Sequence, residues 1–310
     1  MTTSPIDALV RTAHAMAIDE VTAEVVTSLS DAGIEVVLLK GPALAQWLYP
    51  DSVRAYGDTD LLVNPSSFSA AARVLSGIGF ADPWYGPAEH AITYHRRNGA
   101  GVVFSVDLHR TIPLVTASPA ALWREFSSDT AEITVARRSV RVLGVPHLGL
   151  HLAIHAVQHA SESGGPKEDL RRAIDVMEFE DWQRTTEASR RMGAEDALAA
   201  GLCLAPGGPE LAERLQLTSA RRGLLRMASA ELNPQAYQLQ RLIDADGWQG
   251  RLRMLANPLF MSPAIMRQDS ALARRGTLGL VACYAIRPFV LLGRLRPALA
   301  ARRRILRSDD

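Results

Sequence analysis

The chain is poor in the residues that mark several common protein classes. Only two cysteines occur among its 310 residues, Cys203 and Cys283, far apart and outside any metal-binding spacing. This usage argues against a disulfide scaffold and a cysteine-based zinc site, and it is typical of a reducing compartment. The net charge of +1, from 34 Lys and Arg against 33 Asp and Glu, argues against bulk electrostatic binding of long nucleic acids.

Long hydrophobic runs are also missing. The most apolar stretch, residues 276–293, is interrupted by Arg287 and Pro288 before about 18 apolar residues accumulate, so it is too short for a membrane span. The N-terminal stretch contains early acids and lacks the apolar segment of a signal peptide. We therefore expect a cytoplasmic protein with no transmembrane segment.

Lysine is scarce as well. Lys40 and Lys167 are the two lysines of the chain, and every other strong base is arginine. A lysine kept in such a background is a candidate for a role that needs a compact point charge on a flexible stem. For Lys40 the alternative is an ordinary lysine on a surface turn.

What the chain does contain divides it near residue 145. Before that point short β-rich runs alternate with helical patterns, whereas apolar residues at helical spacing dominate afterwards. In the first part we predict one helix up to about residue 31, a short helix after residue 41 and a third helix after residue 64. We also predict strands over 34–39 and 58–63 and hairpins over 91–110 and 133–144. In the second part we predict helices over about 146–161, 167–181, 183–204, 208–216, 218–231, 235–255 and beyond 263. The prediction is a domain of residues 1–145 followed by a mostly helical domain of residues 146–310.

Three carboxylates in the first domain are expected to meet. Side chains alternate along a strand, so Asp58 and Asp60 share one face of the strand over 58–63. In the strand "FSVDLHR" the same alternation places Ser105, Asp107 and His109 on one face. If the two strands are neighbours, the carboxylates converge and can hold two Mg²⁺ ions beside a nucleoside triphosphate.

Each of these residues has a structural alternative. Asp58 and Asp60 can be a solvated pair at a strand start, and Asp107 a half-exposed residue paired with an arginine. Arg54 either binds phosphate or pairs with Asp51 or Asp58. His109 either touches substrate or is an oriented structural histidine.

The stretch "VVLLKGPALAQWLYPDSVRAYGDTDLLV" followed by "VDLHR" resembles the uncharacterised nucleotidyltransferase family of the polymerase-β-like superfamily. The shared pattern is a Leu-Lys-Gly turn, a Tyr-Pro-Asp segment, an arginine, an Asp-x-Asp strand and a later acid-Leu-His. The segments "LGLHLAIHAVQHA" and "RRAIDVMEF" and the stretch "NPLFMSPAIMRQDSALARRGTLGLVACYAIRPF" are similar to that family too, so the likeness covers most of residues 34–290.

The resemblance implies an α+β fold with a small mixed sheet flanked by helices, and transfer of a nucleoside monophosphate from an NTP with Mg²⁺, in two ions, as cofactor. Asp58, Asp60 and Asp107 would bind the metal, and Asp107 would also help to activate the acceptor hydroxyl. Lys40 and Gly41 stand where the superfamily usually has Gly-Ser on the turn that holds the triphosphate. That departure raises the possibility that Lys40 neutralises phosphate charge directly.

Two later segments carry further candidates. His147, His151, His155 and His159 recur at i, i+4 spacing, which favours packing or lining of a cleft over a zinc site because no matching acid follows. Lys167 begins an i, i+4 series with Arg171 and Asp175, which is either a solvated ion-pair ladder or a helix face that contacts nucleotide. The arginine-rich C-terminal tail is by default a solvated terminus.

The leading hypothesis is therefore a Mg²⁺-dependent nucleotidyltransferase acting on a hydroxyl of a small molecule or peptide. Transfer to a protein or to tRNA, as in toxin-like relatives of the superfamily, is the enzymatic alternative, and nucleic acid is the less favoured partner on charge. A catalytically silent nucleotide-binding or scaffold module is the alternative from another class. The oligomeric state is left open by the sequence.

Overall fold

A computed structural model of the protein describes residues 5–84, 90–159, 164–217, 266, 270 and 272–307. The elements in chain order are α1 (Pro5–Asp31), β1 (Val36–Leu38), α2 (Pro42–Leu48), β2 (Asp58–Val63), α3 (Phe68–Gly77), β3 (Ala81–Trp84), β4 (Ala91–Arg97), β5 (Val103–His109), α4 (Pro119–Ser128), β6 (Thr130–Val135), β7 (Arg138–Leu143), α5 (Val145–Gln158), α6 (Gly165–Val176), α7 (Phe179–Met192), α8 (Glu195–Leu202), α9 (Gly208–Arg214) and α10 (Thr277–Arg307).

Within the described residues, seven strands form one mixed sheet in the order β3-β4-β5-β2-β1-β7-β6. The central strand β2 pairs antiparallel with β1 and parallel with β5, and β1 in turn pairs parallel with β7. The remaining neighbours are hairpins, β4–β5 and β6–β7, together with the antiparallel pair β3–β4. The fold is thus α+β, with a mixed sheet flanked by helices, as the sequence predicted.

The two faces of β2 serve different purposes. Thr59 is buried and its hydroxyl lies 2.8 Å from that of Thr22 in α1, which covers this face of the sheet. Leu61, next on the same face, is fully buried in the main apolar core together with Leu38 and Leu108. Asp58 and Asp60 alternate with these residues, so the helix-covered face is apolar and the opposite face carries the acids.

Most predicted elements are confirmed, and the differences have local causes. The single helix predicted over 183–204 is wrong, because Gly193 adopts a left-handed conformation (φ 60°) and ends α7 before α8 begins. The sequence analysis missed β3, a short edge strand that contains Pro83, and also α4, which Ser118 caps by accepting a hydrogen bond from the Ala121 amide. The helices predicted over 218–231 and 235–255 lie outside the described residues.

The contacts divide the chain into two compact units. One comprises residues 1–156 and 164–219, and the other comprises residues 157–163 and 220–310. In the second unit Met266, Ala273 and Leu280 form a small apolar cluster. The domain boundary predicted near residue 145 stays a prediction.

A search for membrane-crossing segments among the described residues finds no helix of sufficient length and apolarity.

The helices of the first unit pack closely at Gly201. A β-carbon at this position of α8 would lie 2.3 Å from the carbonyl oxygen of Ala153 in α5, closer than any real contact. We expect Gly201→Ala to lower the free energy of unfolding by about 1–3 kcal/mol, the usual cost of overpacking, as measured by urea denaturation. Gly77→Ala is the matched control, because no heavy atom lies within 4 Å of its added methyl group. A Gly201→Ala protein as stable as the wild type would contradict this packing.

Candidate active site

The parallel pairing of β2 with β5 brings the predicted acids together. Asp60 lies directly opposite Asp107, and Asp58 lies opposite Ser105. His109, two residues after Asp107, lies opposite Leu62 at the end of the same ladder. The expectation that the two acidic strands are neighbours is therefore confirmed.

Asp60 is the most deeply placed of these acids. It is 2% exposed, and its Oδ1 contacts the Nζ of Lys40 and the Nε2 of His109, each at 3.2 Å. The Lys40 side chain is 17% exposed, and the residue lies two positions after the end of β1. Lys40 is thus the counter-ion of Asp60, whereas the resemblance suggested a direct contact with phosphate.

This arrangement sets the protonation of the cluster. Burial alone would raise the pKa of Asp60, but the charge of Lys40, followed by the contact with His109, holds that pKa well below its usual range. Burial likewise opposes the charge of Lys40, yet Asp60 and then Asp58 keep its pKa above the ordinary value. Burial, and secondly the charge of Asp60, raise the pKa of Asp58. Asp58 therefore differs from Asp60 in having a raised pKa.

Two carboxylate oxygens of the cluster have no hydrogen-bond partner among the described residues. These are Oδ2 of Asp60 and Oδ1 of Asp107, both buried. Asp60, Asp107 and His109 also offer ligand atoms that all lie within 4.8 Å of one another. A buried carboxylate oxygen without a donor is costly unless a cation binds it, so this donor set fits a divalent metal.

Asp58 and Asp107 border a cavity of about 490 Å³, whose other lining residues are Gly57, Thr93, His95 and Ser105. Nδ1 of His95 lies 3.0 Å from the Ser105 hydroxyl. The sequence analysis missed Thr93 and His95. The hairpin would have revealed them, since its register places Thr93 opposite Asp107 and His95 opposite Ser105.

Arg54 follows neither of its predicted pairings with Asp51 or Asp58. Its Nε and Nη2 donate to the two carboxylate oxygens of Asp169 in α6, at 2.9 and 2.7 Å. The hydroxyl of Tyr49 donates to the same carboxylate at 2.6 Å. Asp169 was not among the candidates from the sequence, because an ion pair that spans 115 residues leaves no local pattern.

The remaining candidates from the sequence are Gly41 and Lys167. Gly41 has φ 67° at the start of α2, and the Tyr56 ring lies 3.6 Å from where a β-carbon would be, so the turn after Lys40 favours glycine. Lys167 is half-buried at the start of α6, but Asp169 is the residue of that helix that reaches Arg54. The nucleotide-binding role predicted for Lys167 stays a prediction.

The histidines on α5, and His159 just after it, make different contacts. His147 lies 3.1 Å from Glu125, and His151 stacks on His155 at 6.1 Å between ring centroids. Burial, and then the charge of Lys40, lower the pKa of His151 to about 3, so this ring is neutral at neutral pH. His159 follows the last residue of α5. Among the described residues, the group suited to a metal is the one on β2 and β5 and includes none of these four.

Comparisons with known proteins identify the family of the chain. A family model described as "Uncharacterised nucleotidyltransferase" matches residues 8–206. Solved structures similar to the chain include an antigenic nucleotidyltransferase-like protein from Paracoccidioides brasiliensis, at 13% identity and a TM-score of 0.39, over 65% of this chain and 93% of that one. A search of curated proteins finds no match.

Asp58 gives a test of the electrostatics of this cluster. Because its pKa is raised, its ionised form destabilises the metal-free fold at neutral pH. This penalty is absent below the ordinary carboxyl pKa and grows as the pH rises from there through the raised one. We therefore expect Asp58→Asn to raise the melting temperature in EDTA at neutral pH by about 2–4 °C, equivalent to about 1 kcal/mol, and to lose this gain below about pH 4.

The exposed Asp51, changed to Asn, is the control and should have little effect at either pH. Calorimetry across the pH range measures both variants. A destabilised Asp58→Asn protein, or a gain that does not depend on pH, would contradict the proposed repulsion.

Proposed function

Because the chain belongs to the uncharacterised nucleotidyltransferase family, we propose that it is a Mg²⁺-dependent enzyme that transfers a nucleoside monophosphate from an NTP to a hydroxyl of a small molecule or peptide and releases pyrophosphate. The observation that carries the Mg²⁺ dependence is the pair of buried carboxylate oxygens, on Asp60 and Asp107, that have no partner among the described residues. Oxygen donors of this kind are those that Mg²⁺ prefers.

Asp60, Asp107 and His109 would hold the metal, since they form the group whose ligand atoms lie close enough together. Asp58 is outside that group, but it lines the cavity with Asp107 and would complete the metal site from there. Bound Mg²⁺ would neutralise charge on the triphosphate and on the leaving pyrophosphate. His109 also contacts Asp60, so it helps to fix the carboxylate whose second oxygen would face the metal. By orienting Asp60 in this way, His109 would contribute to the site without touching the substrate.

Asp107 would act as the general base. It borders the cavity next to Asp58, where an acceptor hydroxyl can approach. The hydroxyl oxygen would attack the α-phosphorus while the bond from that phosphorus to the bridging oxygen of the β-phosphate breaks. The proton of the hydroxyl would pass to Asp107, and the electron pair of the broken bond would leave on pyrophosphate.

Three cations are proposed to bind the triphosphate. Lys40 lies on the turn before α2 and is already drawn towards the acids. Arg54 is held nearby by Asp169, and Lys167 lies two residues before Asp169 on α6. Gly41 would let the turn approach the phosphates closely, because it has no side chain.

The cavity supports a small acceptor. Its volume of about 490 Å³ is within the range of small-molecule sites, and Thr93, His95 and Ser105 supply hydrogen-bonding groups. The net charge of +1 favours such an acceptor over tRNA, whose phosphates would require a basic surface. The cysteine usage supports a cytoplasmic location.

Incubation of the protein with each NTP, Mg²⁺ and a set of hydroxyl compounds and peptides tests the proposal. Pyrophosphate release together with a gain of one nucleotide in the mass of an acceptor is the expected result. A mass gain on a protein or on tRNA alone would overturn the choice of acceptor. NTP binding with no transfer to any acceptor would favour the catalytically silent module.

Substitution of Asp107 distinguishes an effect on nucleotide binding from an effect on the chemical step. Asparagine keeps its shape but removes its charge and basicity, so the transition state should suffer more than the bound ground state. We expect Asp107→Asn to keep its affinity for Mg²⁺ and NTP within about tenfold and to lose at least about a hundredfold in turnover. Titration calorimetry with a non-hydrolysable NTP and a pyrophosphate-release assay measure the two quantities. Near-normal turnover would remove Asp107 from the catalytic residues.

Lys40 and Lys167 can be compared directly, since they are the two lysines of the chain. Loss of a charge-assisted phosphate contact typically costs about 1.5–3 kcal/mol. We expect Lys40→Ala to weaken NTP binding roughly ten- to a hundredfold and Lys167→Ala to weaken it much less, as measured by titration calorimetry. Small and equal effects would mean that Lys40 serves only as the counter-ion of Asp60.

A further inference from the structure

We infer that Asp169 is a positioning residue of the nucleotide site, which holds the guanidinium of Arg54 so that its remaining nitrogen, Nη1, is presented to a phosphate oxygen of the bound triphosphate. The inference rests on the proposed function and extends it to a helix outside the residues that carry the acids. The ligand class is a polyphosphate, of which the triphosphate of an NTP is the relevant member.

The contacts of Arg54 divide its donors into two sets. Asp169 accepts from Nε and Nη2 with both carboxylate oxygens, which is the two-pronged geometry that fixes a guanidinium plane. Nη1 lies in the same plane, on the edge of the guanidinium that does not face Asp169. It is buried, and it has no hydrogen-bond partner among the described residues. A buried donor of a charged group without an acceptor is costly, so a ligand that supplies an oxygen would be favoured there.

Asp169 is in turn firmly fixed. Its side chain is 1% exposed and that of Arg54 is 13% exposed, so the pair is largely shielded from water. The hydroxyl of Tyr49 donates to Asp169, and the guanidinium of Arg172 lies over the Tyr49 ring at 4.1 Å. The helix α2, which ends next to Tyr49, also packs against α6, which carries Asp169. The rotation of Arg54 is therefore restricted before any ligand binds.

Arg54 also lies within electrostatic range of the acids. Burial opposes its charge, but the hydrogen bonds and charge of Asp169, with smaller contributions from Tyr49 and Asp58, raise its pKa. Arg54 precedes Asp58 by four residues, on the segment that leads into β2. The charge of Asp58, which lines the cavity, thus acts on Arg54, and an arginine four residues before that acid is suitably placed for a phosphate held beside it.

The alternative is that the pair only ties α6 to the segment before β2. The two roles are separated by measuring binding and stability in the same variants. Inorganic tripolyphosphate with excess Mg²⁺ is the probe, because it carries the phosphates without requiring knowledge of the base. Titration calorimetry at a temperature where circular dichroism shows every variant folded gives the dissociation constant, and thermal unfolding gives the stability.

We expect Asp169→Asn to weaken binding of Mg²⁺-tripolyphosphate about tenfold or more, because the guanidinium is no longer fixed. Asp175→Asn is the matched control on the same helix, since the partner of Asp175 is Arg171, and its binding should stay within about twofold of the wild type. Arg54→Lys keeps the charge opposite Asp169 but puts a single nitrogen in place of three, so no separate donor is left for a phosphate. It should lose at least about tenfold in binding, with a smaller fall in melting temperature than Asp169→Asn.

A double variant, Arg54→Asp with Asp169→Arg, separates the binding role of the pair from its structural role in a second way. It restores opposite charges and should recover melting temperature relative to either single variant, whereas binding should stay weak because the guanidinium now belongs to α6. Recovery of binding along with stability would overturn the inference, as would wild-type binding by Asp169→Asn or Arg54→Lys. If the wild-type protein binds neither tripolyphosphate nor any NTP, the proposed function itself fails, and this inference fails with it.

Discussion

The structure depends on the compensation of one buried carboxylate. Asp60 is almost fully shielded from water on the central strand of the sheet, where an isolated charge would be prohibitively costly. Lys40, two residues after the end of β1, and His109, the last residue of β5, reach the same oxygen of this residue. β1 and β5 are the two strands that flank β2. The charged groups therefore stabilise the pairing of the three strands and, through that pairing, set the positions of Asp58 and Asp107.

That compensation is incomplete in a way that suits catalysis. One oxygen of Asp60 is satisfied, whereas the other, together with an oxygen of Asp107, has no partner among the described residues. Asp58 stands nearby with a raised pKa, first because of burial and then because of the charge of Asp60. Under the proposed Mg²⁺ dependence, this concentration of negative charge would lower the stability of the fold without the ion in return for affinity, which is a common trade at functional sites.

The sequence predicted the parts of this site that depend on strand periodicity. The alternation of Asp58 and Asp60, and of Ser105, Asp107 and His109, placed each set on one face, and the parallel register of β2 and β5 joined the two sets. The role of Asp169 could not be predicted, because its pairing with Arg54 links distant segments through tertiary packing. The break between α7 and α8 was missed for a different reason, since the left-handed conformation of Gly193 interrupts a helical pattern without a proline to mark it.

The pair formed by Arg54 and Asp169 limits how far the chain can be shortened from its C-terminus without disrupting the catalytic unit. A fragment ending before α6 would retain every acid of β2 and β5, yet it would lack the carboxylate that neutralises the buried guanidinium. The buried guanidinium, left without its carboxylate, would then have to move into water and carry the segment before β2 with it, since leaving one partner of a buried ion pair uncompensated is strongly unfavourable. The unit that contains the sheet also contains residues 164–219, so the minimal catalytic fragment extends at least through α6.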